Sequence, residues 1–378
     1  MKRIAVLCLA AALAACTSAP GPSGDPRSVQ PPAGASGTPS PSAQAADGLV
    51  GQIAYVGGAD PQIHLLDLAS GETRQLTQLG PEHAELTGAG PMRPALSCFF
   101  GPGGLAWAPD GERLAFSYGS CDGVVYVVDL EGRLTRIGDG RGAAWSHDGR
   151  FLVDGANVPY CAGPCGQPVE PGVLDLRIVD IGAGAQPASV PLGEATSQGA
   201  QPVFSPDDTW IAFSGPPAQK AGDPATFAAT YVVRSDGSDV RHVADGTWPN
   251  GWLPDGRLLV VDETTAELHA IDLEASTSTQ LGRMEGPGGA SPDGELLLQT
   301  ISDPATGVGG TRLVTMDGDI LAEVAGWGGS WAPDGSAVAI ALSDESTIVV
   351  IGRDGSEVAT YPLGLPTGVS ELAWQSSP

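Results

Sequence analysis

A turn that recurs six times restricts what this chain can fold into more than any other feature. The segments LAWAPDG (105–111), AAWSHDG (143–149), PVFSPDD (202–208), NGWLPDG (250–256), GGASPDG (288–294) and GSWAPDG (329–335) each end a short strand-like stretch. Each leads into an apolar run: RLAFSY, RFLVDG, TWIAFSG, RLLVVD, ELLLQT and SAVAIAL. Pro fixes φ at the start of such a turn, Asp bonds its own backbone, and Gly supplies the left-handed residue that closes a hairpin. His147 in place of Pro and Asp208 in place of Gly are departures the turn tolerates. A third strand and turn follow (HLLDLASGE, YVVDLEGR, RIVDIGAG, YVVRSDGS, HAIDLEAS, LVTMDGD, VVIGRDGS), then a polar fourth strand such as TRQLTQ (73–78) or RLTRIG (133–138). Four short strands in roughly 40 residues, repeated, are the signature of a β-propeller blade.

These units resemble the WD40-like repeats of the TolB-type propellers over nearly all of residues 48–378. Six units start with the turn motif, whereas residues 50–78 supply strands two to four with no first strand before them. Glu371-Leu372-Ala373-Trp374 reads as a first strand with nothing after it. Joining the two fragments leaves no exposed edge. The expectation is therefore an all-β, seven-bladed β-propeller of four-stranded blades, with the C-terminal strand closing blade one.

Trp107, Trp145, Phe204, Trp252, Trp331 and Trp374 all stand just before the turn or its equivalent. One large residue per repeat reads as inter-blade packing rather than a carbohydrate-stacking array. The five histidines give no metal set: His64 and His269 share a repeat position with Tyr126 and Arg177, His147 replaces a turn Pro, and His242 lies beside Arg241. His83 alone lies in a long loop, and one His makes no metal site. No cofactor motif is found.

The ends of the chain set the compartment. MKRIAVLCLAAALAAC carries Lys2 and Arg3 and then an uncharged apolar run too short to span a bilayer. Leu13-Ala14-Ala15-Cys16 resembles the bacterial lipobox, which implies cleavage before Cys16 and its acylation with palmitate-type chains. Residues 1–15 are then a lipoprotein signal peptide, and 16–47 the lipidated Cys and a Pro/Ser/Gly-rich disordered tether, too apolar-poor to fold. Residues 48–378 are the propeller. The expected location is the cell membrane, lipid-anchored on the extracytoplasmic side. Lys+Arg 18 against Asp+Glu 44 gives −26, and losing Lys2 and Arg3 makes it −28. That excludes a phosphate-tracking nucleic-acid binder and a polybasic membrane patch, because both need clustered Lys and Arg.

Cys8 leaves with the signal and Cys16 carries the lipid, so Cys98, Cys121, Cys161 and Cys165 remain. An even number in an exported protein suggests two disulfides, with three pairings possible. Cys98 with Cys121 and Cys161 with Cys165 are favoured. A four-thiolate zinc site is the rival, but CAGPC lacks the usual two-residue spacing.

In a propeller the turns joining strands one to two and three to four share one face. The other connections share the opposite face, and here they hold every long insertion: 79–103, 155–172, 193–200, 215–226 and 301–310. Insertions confined to one face mark the binding face of a repeat protein. Glu82, His83, Arg93, Phe99, Phe100, Tyr118, Tyr160, Trp248 and Trp327 are the candidate contacts, since aromatic and Arg residues are the usual anchors.

Three functions compete. The first is a monomeric, non-catalytic binding or scaffolding lipoprotein for an envelope protein partner. The resemblance implies work in envelope complexes, although a tether stands where TolB-type proteins have an α/β domain. The second is a glycan or small-ligand sensor using the same face. The third, a propeller lyase or glycosidase, would need convergent carboxylates, and nothing singles out Asp122, Glu263 or Glu285. Peptidases of the prolyl-oligopeptidase type carry similar repeats, but no G-x-S-x-G elbow occurs here. The non-enzymatic reading is preferred.

Overall fold

The computed structural model describes residues 49–84, 101–119, 123–156, 175–181, 188–190, 202–215, 228–284, 288–302, 309–343, 346–365 and 368–376. Cys16, Arg93, Cys98, Phe99, Phe100, Cys121, Tyr160, Cys161 and Cys165 lie outside these residues, as does the whole unit Met1–Ser40. The second unit, Pro41–Pro378, holds the propeller.

Seven antiparallel blades of four strands follow one another. Blade one orders Glu371–Trp374, Gln52–Gly57, Gln62–Asp67 and Thr73–Gln75 from the inside outward. Blade two uses Pro102–Trp107, Arg113–Tyr118, Val124–Asp129 and the first half of Leu134–Trp145; the second half of that twelve-residue strand opens blade three. Blade three continues with Phe151–Ala156, Asp175–Asp180 and Ala188–Val190. Blade four is Val203–Phe204, Trp210–Gly215, Ala229–Arg234 and Arg241–Asp245, and blade five Thr247–Trp252, Leu258–Asp262, Glu267–Asp272 and Thr277–Arg283. Blade six is Gly289–Ala290, Leu296–Ser302, Gly309–Thr315 and Ile320–Val324, and blade seven Gly326–Trp331, Ala337–Leu342, Thr347–Gly352 and Glu357–Pro362. A single 3-10 turn, Pro81–Ala84, is the one helical element among the described residues.

The C-terminal strand closes the ring as the repeat count requires. Val56 faces Glu371, and Ile53 faces Trp374, in antiparallel register. Without this pairing Gln52–Gly57 would present a full edge of unpaired N–H and C=O groups.

The turn motif is built as its residues dictate. In blade four the Ser205 hydroxyl donates to Asp207 Oδ1 at 2.6 Å and accepts the Trp210 N–H at 2.9 Å, while Asp207 Oδ1 accepts the Thr209 N–H at 3.1 Å. The closing position is left-handed: φ is 69° at Gly111, 73° at Gly294, and 55° at Asp208.

The core is a set of inter-blade layers, because second and third strands such as those of blades two and four are buried on both faces. One layer joins Leu65, Leu114, Phe116 and Tyr126 of blades one and two; another joins Ala339, Ile348 and Val350 of blade seven to Ile53, Tyr55 and Trp374 of blade one. The repeated tryptophans pack there as expected and also bond across the junctions. Trp107 Nε1 donates to the Ala373 carbonyl at 3.0 Å, Trp145 Nε1 to Ala106 at 3.0 Å, Trp252 Nε1 to Val203 at 3.1 Å and Trp331 Nε1 to Gly289 at 3.3 Å. Each acceptor is the carbonyl one residue before the matching position of the preceding blade, which satisfies a buried donor.

One cross-strand position breaks the apolar pattern. Tyr55 faces His64, Phe116 faces Tyr126 and Phe213 faces Tyr231, but in blade three Asp154 faces Arg177. Asp154 Oδ2 accepts from Arg177 Nη2 at 2.6 Å and Nε at 3.2 Å, and Arg177 Nη1 donates to the Asp139 carbonyl at 3.2 Å. The guanidinium lies against Gly138 and Gly140, where any Cβ would collide with it. Thus a strand runs from blade two into blade three with no intervening loop, over a buried ion pair.

Candidate functional site

The inner strands run toward the tight-turn end, so their first residues ring the opposite mouth of the channel. The long connections at that end leave Gln75, Ala156, Val190 and Gly215 and return at Pro102, Asp175, Val203 and Ala229. These four start from the arc of blades one to four, and a fifth, from Ser302 to Gly309, belongs to blade six. Single residues, Gly246 and Ala325, lead into blades five and seven.

Bulges shape the rim. The register slips between Gly103 and Ala106, Arg141 and Ala143, Pro249 and Gly251, and Trp327 and Ser330. Each slip has a left-handed glycine, with φ 66° at Gly104, 58° at Gly142, 115° at Gly251 and 62° at Gly328. A bulge leaves main-chain groups out of the ladder. Side chains take some of them: the Gly142 N–H donates to Ser117 Oγ at 2.8 Å, and the N–H groups of Gly104 (2.6 Å) and Leu105 (3.3 Å) donate to Glu371 Oε2. Burial raises the Glu371 pKa, against the lowering effect of the Leu105 and Gly104 donors.

The register brings five residues to one level of the rim. Glu371 faces Val56, Gly103 faces Ser117, Arg141 faces Gly155, Trp248 faces Val261 and Trp327 faces Ala341, all at the same distance along their second strands. Trp248 is 43% exposed and Trp327 49% exposed, in a chain whose other described tryptophans are at least partly buried. Trp327 lies across blade six: a Cβ on Gly309 would overlap its six-membered ring, so the glycine gives the indole its seat. Thr311 Oγ1 donates to the Gly326 carbonyl at 3.0 Å, and Thr230 and Thr247 share a hydrogen bond of 2.8 Å, tying the preceding blade to each tryptophan-bearing strand.

The remaining described candidates have different roles. Tyr118 is 4% exposed and meets His83 edge to face at 6.5 Å, so it supports the surface instead of presenting one. His83 Nδ1 accepts the Gly80 N–H at 3.0 Å, and its carbonyl accepts the Tyr126 hydroxyl at 2.9 Å, which pins the start of the long connection onto blade two. Glu82 is exposed beside it, 3.4 Å from His83. The sequence does not single out Glu371, which reads only as part of a closing strand, or Gly309, which reads only as loop. Among the described residues no three His, Cys, Asp or Glu side chains gather as a metal site, and no helix is long and apolar enough to cross a membrane.

No protein-family model matches this sequence, and no curated protein matches it in sequence. Solved structures share its fold. An oligogalacturonate lyase from Vibrio parahaemolyticus superposes with TM-score 0.54 at 14% identity, covering 84% of this chain and 95% of that one. A prolyl endopeptidase gives TM-score 0.54 at 15% identity over 86% of this chain and 50% of that one. TolB from Acinetobacter baumannii gives TM-score 0.48 at 14% identity over 86% of this chain and 66% of that one. At these identities the likeness establishes fold alone: this chain is a seven-bladed β-propeller.

Proposed function

We propose that the protein is an extracytoplasmic lipoprotein, acylated at Cys16 in the cell membrane, whose propeller is a non-catalytic binding or scaffolding module for an envelope protein partner. The observation that carries this reading is the asymmetry of the two ends. One end is a set of tight, internally bonded turns; the other collects the long connections and two half-exposed tryptophans at matching rim positions. Leu49 and Val50 enter blade one at the tight-turn end. Exposed aromatics beside long loops are the composition of an interface core. Glu371 has one oxygen committed to two main-chain donors, an arrangement suited to fixed recognition more than to proton transfer.

The test is cross-linking capture from membranes with the intact protein and with residues 79–103 shortened. Loss of a specific captured protein on shortening supports the reading. An unchanged set of captured proteins contradicts it.

A further inference from the structure

We infer that the channel mouth receives Lys or Arg side chains carried on an extended segment of the protein partner, stacking separately on Trp327 and Trp248, with Glu371 contributing the balancing charge at the same rim level. This rests on the reading that the loop-rich end binds a partner, and it names the chemistry of that partner.

Three observations carry it. First, the indole of Trp327 is laid on the glycine at 309 and half of the residue remains in solvent, and Trp248 is similarly exposed at the same level two blades away. A flat indole held by its neighbour is a preformed face for a cation, worth more as the site is desolvated. Second, this chain already pairs three of its other aromatic rings with guanidinium groups. Arg113 lies 4.9 Å over Trp145, Arg150 4.8 Å over Phe151, and Arg234 and Arg241 lie 4.3 and 4.6 Å over Trp210. No such cation covers Trp248 or Trp327 among the described residues. Third, Glu371 stands at the same rim level with Oε2 fixed by Gly104 and Leu105, while Oε1 has no hydrogen-bond partner among the described residues.

Charge decides between a cationic occupant and a neutral or anionic one. With 44 acidic against 18 basic residues, the field of the molecule draws cations and repels anions. A neutral ring compound would stack on the indoles but would gain nothing from that field. A partner segment bearing Arg gains from the field, the indole faces and the Glu371 carboxylate together, and its planar fork matches both the ring and the carboxylate.

The probes are an acetylated, amidated peptide of four Arg-Gly repeats and its citrulline counterpart, which keeps the shape and loses the charge. Both are titrated into the whole protein by calorimetry at 150 mM NaCl. The Arg peptide is expected to bind at least tenfold more tightly than the citrulline peptide. Trp327→Ala, verified as folded by its unfolding transition, should weaken the Arg peptide at least fivefold. Glu371→Gln should weaken it at least threefold, whereas Glu274→Gln, which removes the same charge from an exposed turn at the other end, should change it less than twofold. Equal affinity of the two peptides overturns the inference, and so does an equal effect of Glu371→Gln and Glu274→Gln. If Trp327→Ala abolishes membrane-partner capture while the peptides bind alike, the partner-binding reading stands and the cationic occupant is refuted.

Discussion

The main-chain N–H of His147 donates to Asp208 Oδ1 at 2.9 Å, and its ring Nδ1 lies 2.7 Å from the same oxygen. These are the two residues that depart from the turn motif, and they belong to adjacent blades. At other junctions the closing Gly packs on the Pro of the preceding blade: a Cβ would come 3.4 Å from Pro109 at Gly149, 2.8 Å from Pro254 at Gly294 and 3.4 Å from Pro292 at Gly335. Between blades three and four a hydrogen-bonded pair replaces that contact, and a Pro at 147 would have no N–H to give. His147→Pro and Asp208→Gly should therefore be coupled. Urea unfolding of the two single variants and the double variant should show non-additivity of about 1 kcal/mol. Strict additivity would contradict the pairing.

Ring closure depends on Trp107 and the C-terminal strand together. Trp107→Phe keeps the ring but removes the hydrogen bond to the Ala373 carbonyl, and should cost about 0.5–1.5 kcal/mol by urea unfolding. Deleting residues 368–378 removes the whole inner strand of blade one. It should abolish the single cooperative transition, and retention of that transition at full stability would exclude closure by this strand.

Two acids should give opposite pH slopes. Burial pushes the Asp154 pKa up to about 7, against the lowering effect of Arg177. The folded state therefore binds a proton that the unfolded chain releases near pH 4, and this group's contribution to stability falls as pH rises from about 4 to about 7. Asp154→Asn should flatten that part of the stability profile. Asp207, held at about 2 chiefly by the Ser205 hydroxyl, contributes stability above about pH 4 that is lost as pH falls toward 2. Ser205→Ala should weaken the acid-side loss. Urea midpoints measured from pH 3 to 8 check both signs.

Gly309→Ala tests the seat of Trp327. The backbone there is not left-handed, so any effect is steric. The added methyl should displace the indole, shift the tryptophan emission to longer wavelength and cost about 1–3 kcal/mol as overpacking. An unchanged spectrum with unchanged stability would place the ring elsewhere.

The blade count, the inner-strand aromatics and the closing strand are legible because each is a repeated local signal: Pro-Asp-Gly turns, short continuous apolar runs and a Trp at constant offset. The strand of Glu371–Trp374 was recognisable because it matched the others in pattern. What the repeats did not reveal were relations between blades. The His147–Asp208 pair looks like two unrelated tolerances in sequence, since the residues are far apart and meet only when the blades pack. Asp154 and Arg177 likewise sit at positions that read as tolerant until the register sets them face to face. At the mouth, Trp248 and Trp327 were identifiable as aromatics on the long-loop face. Glu371 was not, because its role follows from a bulge in the neighbouring strand that exposes two main-chain donors.

Cross-linking capture of the envelope partner by the Trp248→Ala/Trp327→Ala double variant tests the central claim most directly. Both side chains are half in solvent, and the double variant should unfold within about 1 kcal/mol of the intact protein. At equal folded concentration and equal membrane anchoring, the captured partner should fall at least tenfold. Capture at the level of the intact protein would contradict a binding site at the channel mouth.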